Sequence, residues 1–268
     1  MTITSRHNPL AQLAREARDG RDAALLFAEG LRLCEEAARS PLAVEDVLFT
    51  ADFAAGARGA ELLSELRRKG ARLVEVSEGV LASVADTKTP QGVALLGRRP
   101  ACDLASFERG LGAEDPLLVV LHGVGNPANA GAMLRVAEAA GAAGVVATAG
   151  TTDLLAPRSL RGAMGSAFRL PLWAGASFGE VVGWCAGRGI TTVGADLGAG
   201  RTHTEIDWAG ARAVVCGAEA RGLSREEAAA ADVRARIPMR APVESLNVAA
   251  ALAVLLYEAA RQRGFPHG

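Results

Sequence analysis

The stretch LLVVLHGVGNPANAGAMLR, Leu117–Arg135, decides how the rest of the chain is read. Leu117–Leu121 is apolar without a break, the pattern of a strand buried on both faces. Gly123, Gly125 and Pro127 then supply turn chemistry, and apolar residues recur at helical spacing over Ala130–Ala140. Strand, tight turn and helix open a βαβ unit, and such units bind ligands beyond the carboxyl ends of their strands.

Working outward, the alternation continues. Gly144–Thr148, Leu170–Trp173, Ile190–Val193, Ala213–Cys216 and Val233–Ile237 read as further strands of a parallel sheet. The final helix, Leu246–Arg261, is apolar almost all round, which suits a core or subunit-interface position. Upstream of Leu117, residues 97–116 carry two prolines, several glycines and mixed charges without a period, and read as a linker. Before it, strands at Ala24–Ala28, Val47–Thr50, Leu73–Val76 and Val93–Leu96 alternate with helices at Gly30–Ala38, Ala57–Lys69 and around Val80–Val84. The fold class is α/β, with a first domain over 1–105 and a second over 113–268.

Composition narrows the function classes. The 268 residues include 29 basic and 30 acidic side chains, for a net charge of −1, so a globally basic nucleic-acid coat is excluded and any nucleic-acid contact must be local. Nearly all the cations are arginine, with only Lys69 and Lys88 besides. The four cysteines (Cys34, Cys102, Cys185, Cys216) have neither disulfide-scaffold nor metal-ligand spacing and read as scattered buried thiols. With no apolar leader and no membrane-length apolar run, the expectation is a soluble cytoplasmic protein without a metal.

Gly123, Gly125 and Ala128 satisfy the dinucleotide fingerprint G-x-G-x-x-A, so an NAD-type oxidoreductase is a legal alternative. Pro127 argues against it, because it stiffens the loop and has no N–H to give a pyrophosphate. No acidic residue ends the next strand, and Asp153 comes too late. Asn129, read as a helix N-cap, and Arg135 two turns further on are residues that a dinucleotide site does not need.

Three polar segments, the first two bearing glycine, follow expected strands: NPANAGAMLR (126–135), CGAEARGLS (216–224) and IPMRAPVESLNVAAA (237–251). A parallel sheet brings strand carboxyl ends to one rim, so Asn129, Arg135, Glu219, Ser245 and Asn247 are candidates to converge. Singly, each has a plainer reading: helix caps for Asn129 and Ser245, a solvated face for Arg135, a surface turn for Glu219.

In order and spacing, these segments resemble the three motifs of the SpoU/TrmH class of RNA ribose 2'-O-methyltransferases, in the SPOUT superfamily. TSRHNP (4–9), FAEGLRL (27–33) and DTKTPQGV (86–93) resemble that family's N-terminal RNA substrate-binding domain, similar to a ribosomal-protein fold, and rRNA-directed members carry such a domain. The resemblance implies a C-terminal SPOUT domain with a deep trefoil knot, a rare exception among folds. It implies S-adenosyl-L-methionine as cofactor, held largely on backbone groups at Gly217, Ile237, Met239, Leu246 and Ala249. It also implies a homodimer through the C-terminal domain and no metal. RNA is the implied partner, ribosomal RNA ahead of tRNA, with a housekeeping role and antibiotic resistance equally compatible.

Methyl transfer to a ribose hydroxyl depends on alignment and on handling the hydroxyl proton. The family role for the first-motif arginine falls on Arg135, as base or as the group that orients the hydroxyl and its phosphate. Arginine stays protonated, so stabilising the developing alkoxide and clamping the phosphate suit it better. Asn129 and Glu219 would hold Arg135, the ribose or the loop, and Ser245 and Asn247 would orient the hydroxyl. Arg6, His7, Arg158, Arg161 and Arg169 are the RNA-binding candidates, and Arg67–Lys69 read equally as a solvated face. Asn126 stands where the family often has an acidic residue, and His122, also a departure, has no role by sequence. A catalytically silent RNA-binding protein is the non-enzymatic alternative.

Overall fold

A computed structural model describes residues 2–112 and 114–265; the expected domain limits Met1, Ala113 and Gly268 lie outside them. The chain divides into two compact units, Met1–Pro100 with Leu155–Arg169, and Ala101–Leu154 with Leu170–Gly268.

In the first unit four strands, β1 (Leu25–Glu29), β2 (Val44–Phe49), β3 (Arg72–Glu75) and β4 (Val93–Arg98), lie in the order β1-β4-β2-β3. β4 runs antiparallel to both β1 and β2, and β2 pairs parallel with β3. The helix Pro9–Arg18 was not read from the sequence, yet its start follows from Asn8, whose Oδ1 accepts from Leu10 N at 2.9 Å ahead of a proline in the first turn. Its Leu10 and Ala14 pack with Phe27, Leu48, Val80, Leu81 and Leu96 in one core. The segment Leu155–Arg169, far along the chain, belongs to this unit, and its helix Pro157–Ala163 packs on β1.

The second unit holds seven strands: β5 (Leu117–Leu121), β6 (Gly144–Thr148), β7 (Leu172–Ala176), β8 (Thr191–Ala195), β9 (Arg201–Thr202), β10 (Arg212–Cys216) and β11 (Val233–Arg236). Their order is β7-β6-β5-β10-β8-β11-β9, and every neighbouring pair is parallel. The expected α/β fold with a parallel sheet is therefore present. β5 and β6 are buried at every position, as their unbroken apolar runs require.

Several expectations need correction. The linker 97–116 is not featureless: β4 runs to Arg98, and Leu104–Gly110 is a helix capped by Asp103, whose Oδ1 accepts from Ser106 N at 2.7 Å. Its Phe107 is fully buried against Trp173 and Trp184, with ring centroids 6.1 and 5.7 Å away. β7 starts two residues later than expected. Pro171 can accept from Val145 N but has no N–H to give, so the strand begins after it. The helix Phe178–Gly187, opened by a Ser177–Glu180 capping box, and the short strand β9 were not read at all.

β5, β10, β8 and β11 are adjacent in the sheet, so the segments that leave their carboxyl ends share one rim. Those segments begin at His122, Gly217, Asp196 and Ile237.

Candidate active site

The helix Pro127–Ala139 leaves this rim directly after the 122–126 turn. Its N-cap is Asn126, whose Oδ1 accepts from Ala128 N at 2.9 Å, with Pro127 in the first turn. Asn129 is therefore not the cap, a correction that the Asn-Pro dipeptide would have supported. It lies one turn inside the helix, and its side chain is free for other work.

That work is a three-residue chain. Asn129 Nδ2 donates to Glu219 Oε1 at 3.1 Å, and Asn247 Nδ2 donates to Asn129 Oδ1 at 3.0 Å. Glu219 also accepts from the backbone N–H groups of Gly125 (3.1 Å) and Asn126 (3.0 Å). Asn247 caps the final helix, Val248–Gln262, its Oδ1 accepting from Ala249 N at 2.9 Å. The Asn129 segment thus meets two others, 90 and 118 residues further along the chain, through side-chain amides and one carboxylate. Burial works to raise the Glu219 pKa, but hydrogen bonds from its own backbone, Asn129, Asn126 and Gly125 together hold it below the usual carboxylate range. At neutral pH the group is an anion that needs its donors.

A cavity of about 330 Å3 opens beside this chain. Gly217, Ile237, Met239 and Leu246 line it, as do Glu219 and Ser245. Ala249 does not; Val248 and Ala251 of the same helix face it instead. Sequence reasoning missed Asp196, Arg221 and Arg236 in the lining. Asp196 directly follows β8, and a polar residue at the carboxyl end of a parallel strand was the signal available. The backbone at Gly217 is crowded: a Cβ there would lie 2.3 Å from Gly222 C and 2.5 Å from Leu223 N.

Arg135 joins none of these contacts. It is exposed, six residues beyond Asn129 on the same helix, and its side chain has no ion pair or hydrogen bond among the described residues. Such an arginine is available to an anionic ligand, because no carboxylate among the described residues has claimed it.

The loop that carries the dinucleotide fingerprint has already committed its donors. Gly123 N donates to Thr151 Oγ1 at 3.0 Å, Gly125 N and Asn126 N donate to Glu219, and Pro127 has none. A pyrophosphate would meet a carboxylate where it needs amides.

The cationic candidates all lie in the first unit. His7 and Arg158 are exposed. Arg6 Nε donates to Gly79 O at 3.1 Å. Arg161 pairs with Asp86 at 2.6 Å and Arg169 with Glu36 at 2.5 Å, so these two hold the segment 155–169 in its unit as well as carrying charge. Lys69 is a correction: its Nζ donates to the carbonyls of Ala37, Ala38 and Ser40 and closes the end of the helix Leu31–Arg39. No disulfide joins the four cysteines, and burial pushes the Cys185 and Cys216 thiols up to about 12, where they are inert. Among the described residues no group of three or more His, Cys, Asp or Glu side chains is placed to hold a metal.

Comparison with known proteins accords with this geometry. Residues 116–257 match the SpoU rRNA Methylase family, and residues 10–95 match the MRM3-like substrate binding domain. The chain is 30% identical over 229 residues to the 23S rRNA (guanosine(2553)-2'-O)-methyltransferase RlmP of Bacillus subtilis, covering 85% of this chain and 86% of that one. Among solved structures, an RNA 2'-O ribose methyltransferase superposes with a TM-score of 0.83 at 34% identity, over 99% of this chain and 100% of the other. The SpoU methyltransferase AviRb from Streptomyces viridochromogenes, in complex with AdoMet, superposes with a TM-score of 0.86 at 28% identity, over 97% of this chain and 100% of the other. The chain belongs to the SpoU rRNA methylase family.

Proposed function

We propose that this chain transfers a methyl group from S-adenosylmethionine to a ribose 2'-hydroxyl of RNA, with ribosomal RNA as the substrate. The observation that carries the reading is the Glu219–Asn129–Asn247 chain, which gathers three distant segments at the mouth of one cavity.

The cavity suits the cofactor. Its volume lies at the lower end of small-ligand pockets. Ile237, Met239, Leu246 and Leu255 give apolar walls for an adenine, and Glu219, Arg221 and Arg236, with Asp196 already paired to Arg234, give polar groups of both signs for the rest of the ligand. Gly217, where the backbone leaves no room for a side chain, lets the main chain itself face the ligand. Gly217, Ile237, Met239, Leu246 and, through its helix, Ala249 are the residues assigned to it. When bound, S-adenosylmethionine supplies an electrophilic methyl group on a sulfonium.

Asn129, Arg135, Glu219, Ser245 and Asn247 are the residues assigned to the reaction. Glu219 fixes the Gly125–Asn126 turn and so sets where the helix Pro127–Ala139 starts. Arg135, left free on that helix, binds the phosphate next to the target ribose and stabilises the developing alkoxide. Asn129 and Asn247 tie the Arg135 helix to the final helix, and the Ser245 hydroxyl, on the cavity wall, orients the sugar oxygen. Arg6 and His7, in an N-terminal substrate-binding domain over 1–105, and Arg158, Arg161 and Arg169, in the segment 155–169 of the same compact unit, are assigned to RNA contacts, with the rest of 113–268 as the catalytic domain.

Two finer assignments go with this reading. The first is a deep trefoil knot, formed where residues 237–247 lead into the final helix; the packing of that helix on Pro127–Ala139 and on β10 supports it. The second is a homodimer through the C-terminal domain, acting in the cytoplasm. Val254 and Tyr257 of the final helix are 37% and 47% exposed, and Phe265, ring centroid 6.4 Å from Tyr257, is 49% exposed. An apolar patch of this kind is what a second subunit covers. Among the described residues no helix is long and apolar enough to cross a membrane.

Tritiated methyl transfer from S-adenosylmethionine to unmodified rRNA and tRNA, with the product mapped, tests the reading. Label is expected in rRNA, on a ribose. Tight NAD binding with no response to S-adenosylmethionine would defeat it, and RNA binding without transfer would leave the chain a silent binding protein.

A further inference from the structure

His122, which has no role by sequence, sits at the end of β5, with its backbone N–H and Nδ1 hydrogen-bonded and its buried Nε2 at ion-pair distance from a carboxylate. Its backbone N–H donates to Cys216 O at 2.8 Å, where β10 gives way to the cavity loop 217–223. Its Nδ1 lies 2.8 Å from Thr148 Oγ1 at the end of β6, and its Nε2 lies 2.8 Å from Glu227 Oε1. The ring packs on Phe178, with centroids 4.6 Å apart. Glu227 in turn accepts from Ser224 N at 2.7 Å while Ser224 Oγ accepts from Glu227 N, the capping box that starts the helix Arg225–Ala230. The loop 217–223 therefore has its first end held by the His122 main chain and its far end held, through Glu227 and Ser224, by the His122 imidazole. Between those ends it folds back on itself, with Gly222 N donating to Ala218 O at 2.7 Å.

We propose that His122 is the positioning residue for the cofactor loop: its imidazole clasps Glu227 and so holds residues 217–223 in the shape that receives S-adenosylmethionine. The inference rests on the cavity's being the cofactor site. The 2.8 Å approach of Nε2 to Glu227 Oε1 ties the ring to the carboxylate, and the Thr148 hydroxyl, only 2% exposed, fixes Nδ1 from the other side at 2.8 Å. The Glu227 carboxyl sits at about 2, lowered chiefly by the Ser224 backbone and by His122, so its charge is present at any working pH. Seven loop residues that are ordered before the ligand arrives need not be ordered by it, and this raises affinity without touching the reacting atoms.

The test is calorimetric binding of S-adenosylmethionine to the full chain. His122→Asn, too short to reach Glu227, is expected to weaken binding about tenfold, the loss of the imidazole–carboxylate contact. His122→Gln, whose terminal amide reaches as far as Nε2, is expected to restore affinity to within about twofold, and methyl transfer to rRNA at saturating cofactor is expected to change little in either variant. Glu227→Ala should weaken binding like His122→Asn, and the double variant should be no worse than either single. Wild-type affinity in His122→Asn, or a His122→Gln as weak as it, would overturn the proposal. If His122→Asn fails to fold, Glu227→Ala on its short surface helix decides: weakened binding supports the clasp and wild-type affinity overturns it. A wild-type chain that binds no S-adenosylmethionine would instead remove the cofactor reading, and the clasp with it.

Discussion

The two units use the same device to opposite ends. In the first, Glu29 at the end of β1 accepts from the backbone N–H groups of Asp86 and Thr87 and from the Thr87 hydroxyl. In the second, Glu219 accepts from the backbone N–H groups of Gly125 and Asn126 and from the Asn129 amide. Each carboxylate pins two consecutive amides, in a loop that reaches a proline within four residues. Glu29 is only 7% exposed, and its loop is closed over it. Glu219 is exposed and lines the cavity. A buried carboxylate with all its donors is a folding element, whereas the same arrangement left open to a cavity is a site, and exposure rather than residue type separates the two.

The largest test of that distinction concerns what the Glu219-pinned helix presents. Arg135→Ala is expected to lower methyl transfer about 10²–10³-fold, roughly 3–4 kcal/mol of transition-state stabilisation, as for other preorganised donors. S-adenosylmethionine binding and the melting temperature should stay near wild type, because the exposed side chain makes no hydrogen bond or ion pair among the described residues. Transfer assays and calorimetry on one preparation would check it, and undiminished turnover would take Arg135 out of the mechanism. Glu29→Ala should act the other way. Three donors lose their acceptor in a buried setting, and stability should fall by about 2–3 kcal/mol, read from the denaturant midpoint. Cofactor affinity should not move. A Glu29→Ala chain of unchanged stability would show that burial alone does not make the staple structural.

The difference between the two carboxylates also marks where the amino-acid sequence is legible. β5 and β6 end where the apolar runs end, because a strand buried on both faces must be apolar throughout. The three polar segments at the rim could be placed together for a related reason, since parallel strands put all their carboxyl ends on one side. What stayed illegible depends on distant partners. Glu29 reads as the polar close of an apolar strand, and nothing local points to Asp86, 57 residues on. The helix Leu104–Gly110 is short and half polar, so only the burial of Phe107 reveals that the linker is part of a domain. Asn129 reads as a cap because helix periodicity sets in at Ala130, although Pro127 already opens the helix. Lys69 reads as one of a run of surface cations, whereas its ammonium sits on three carbonyls of a segment about thirty residues earlier.

A smaller effect sharpens the comparison from the Glu219 side. Glu219→Gln keeps the shape but offers an amide NH2 where one backbone N–H or the Asn129 amide now finds an oxygen. It should lower methyl transfer about tenfold, about 1.4 kcal/mol, with a loss of stability well below that of Glu29→Ala. The smallest effect is the pH dependence of that same difference. The folded-state pKa of Glu219 is lowered, so its contribution is fully present above the ordinary carboxylate range and is lost as pH falls through the lowered value. The wild-type chain should therefore be more stable than Glu219→Gln at pH 7 and lose that margin in acid, while the variant, which cannot titrate there, supplies the baseline. Because the group is exposed, the margin should be under about 1 kcal/mol, and melting curves of the two chains taken side by side from pH 7 downward would resolve it. A margin that persists to acid would mean that the staple works by shape alone, and that the charge on Glu219 serves only the ligand.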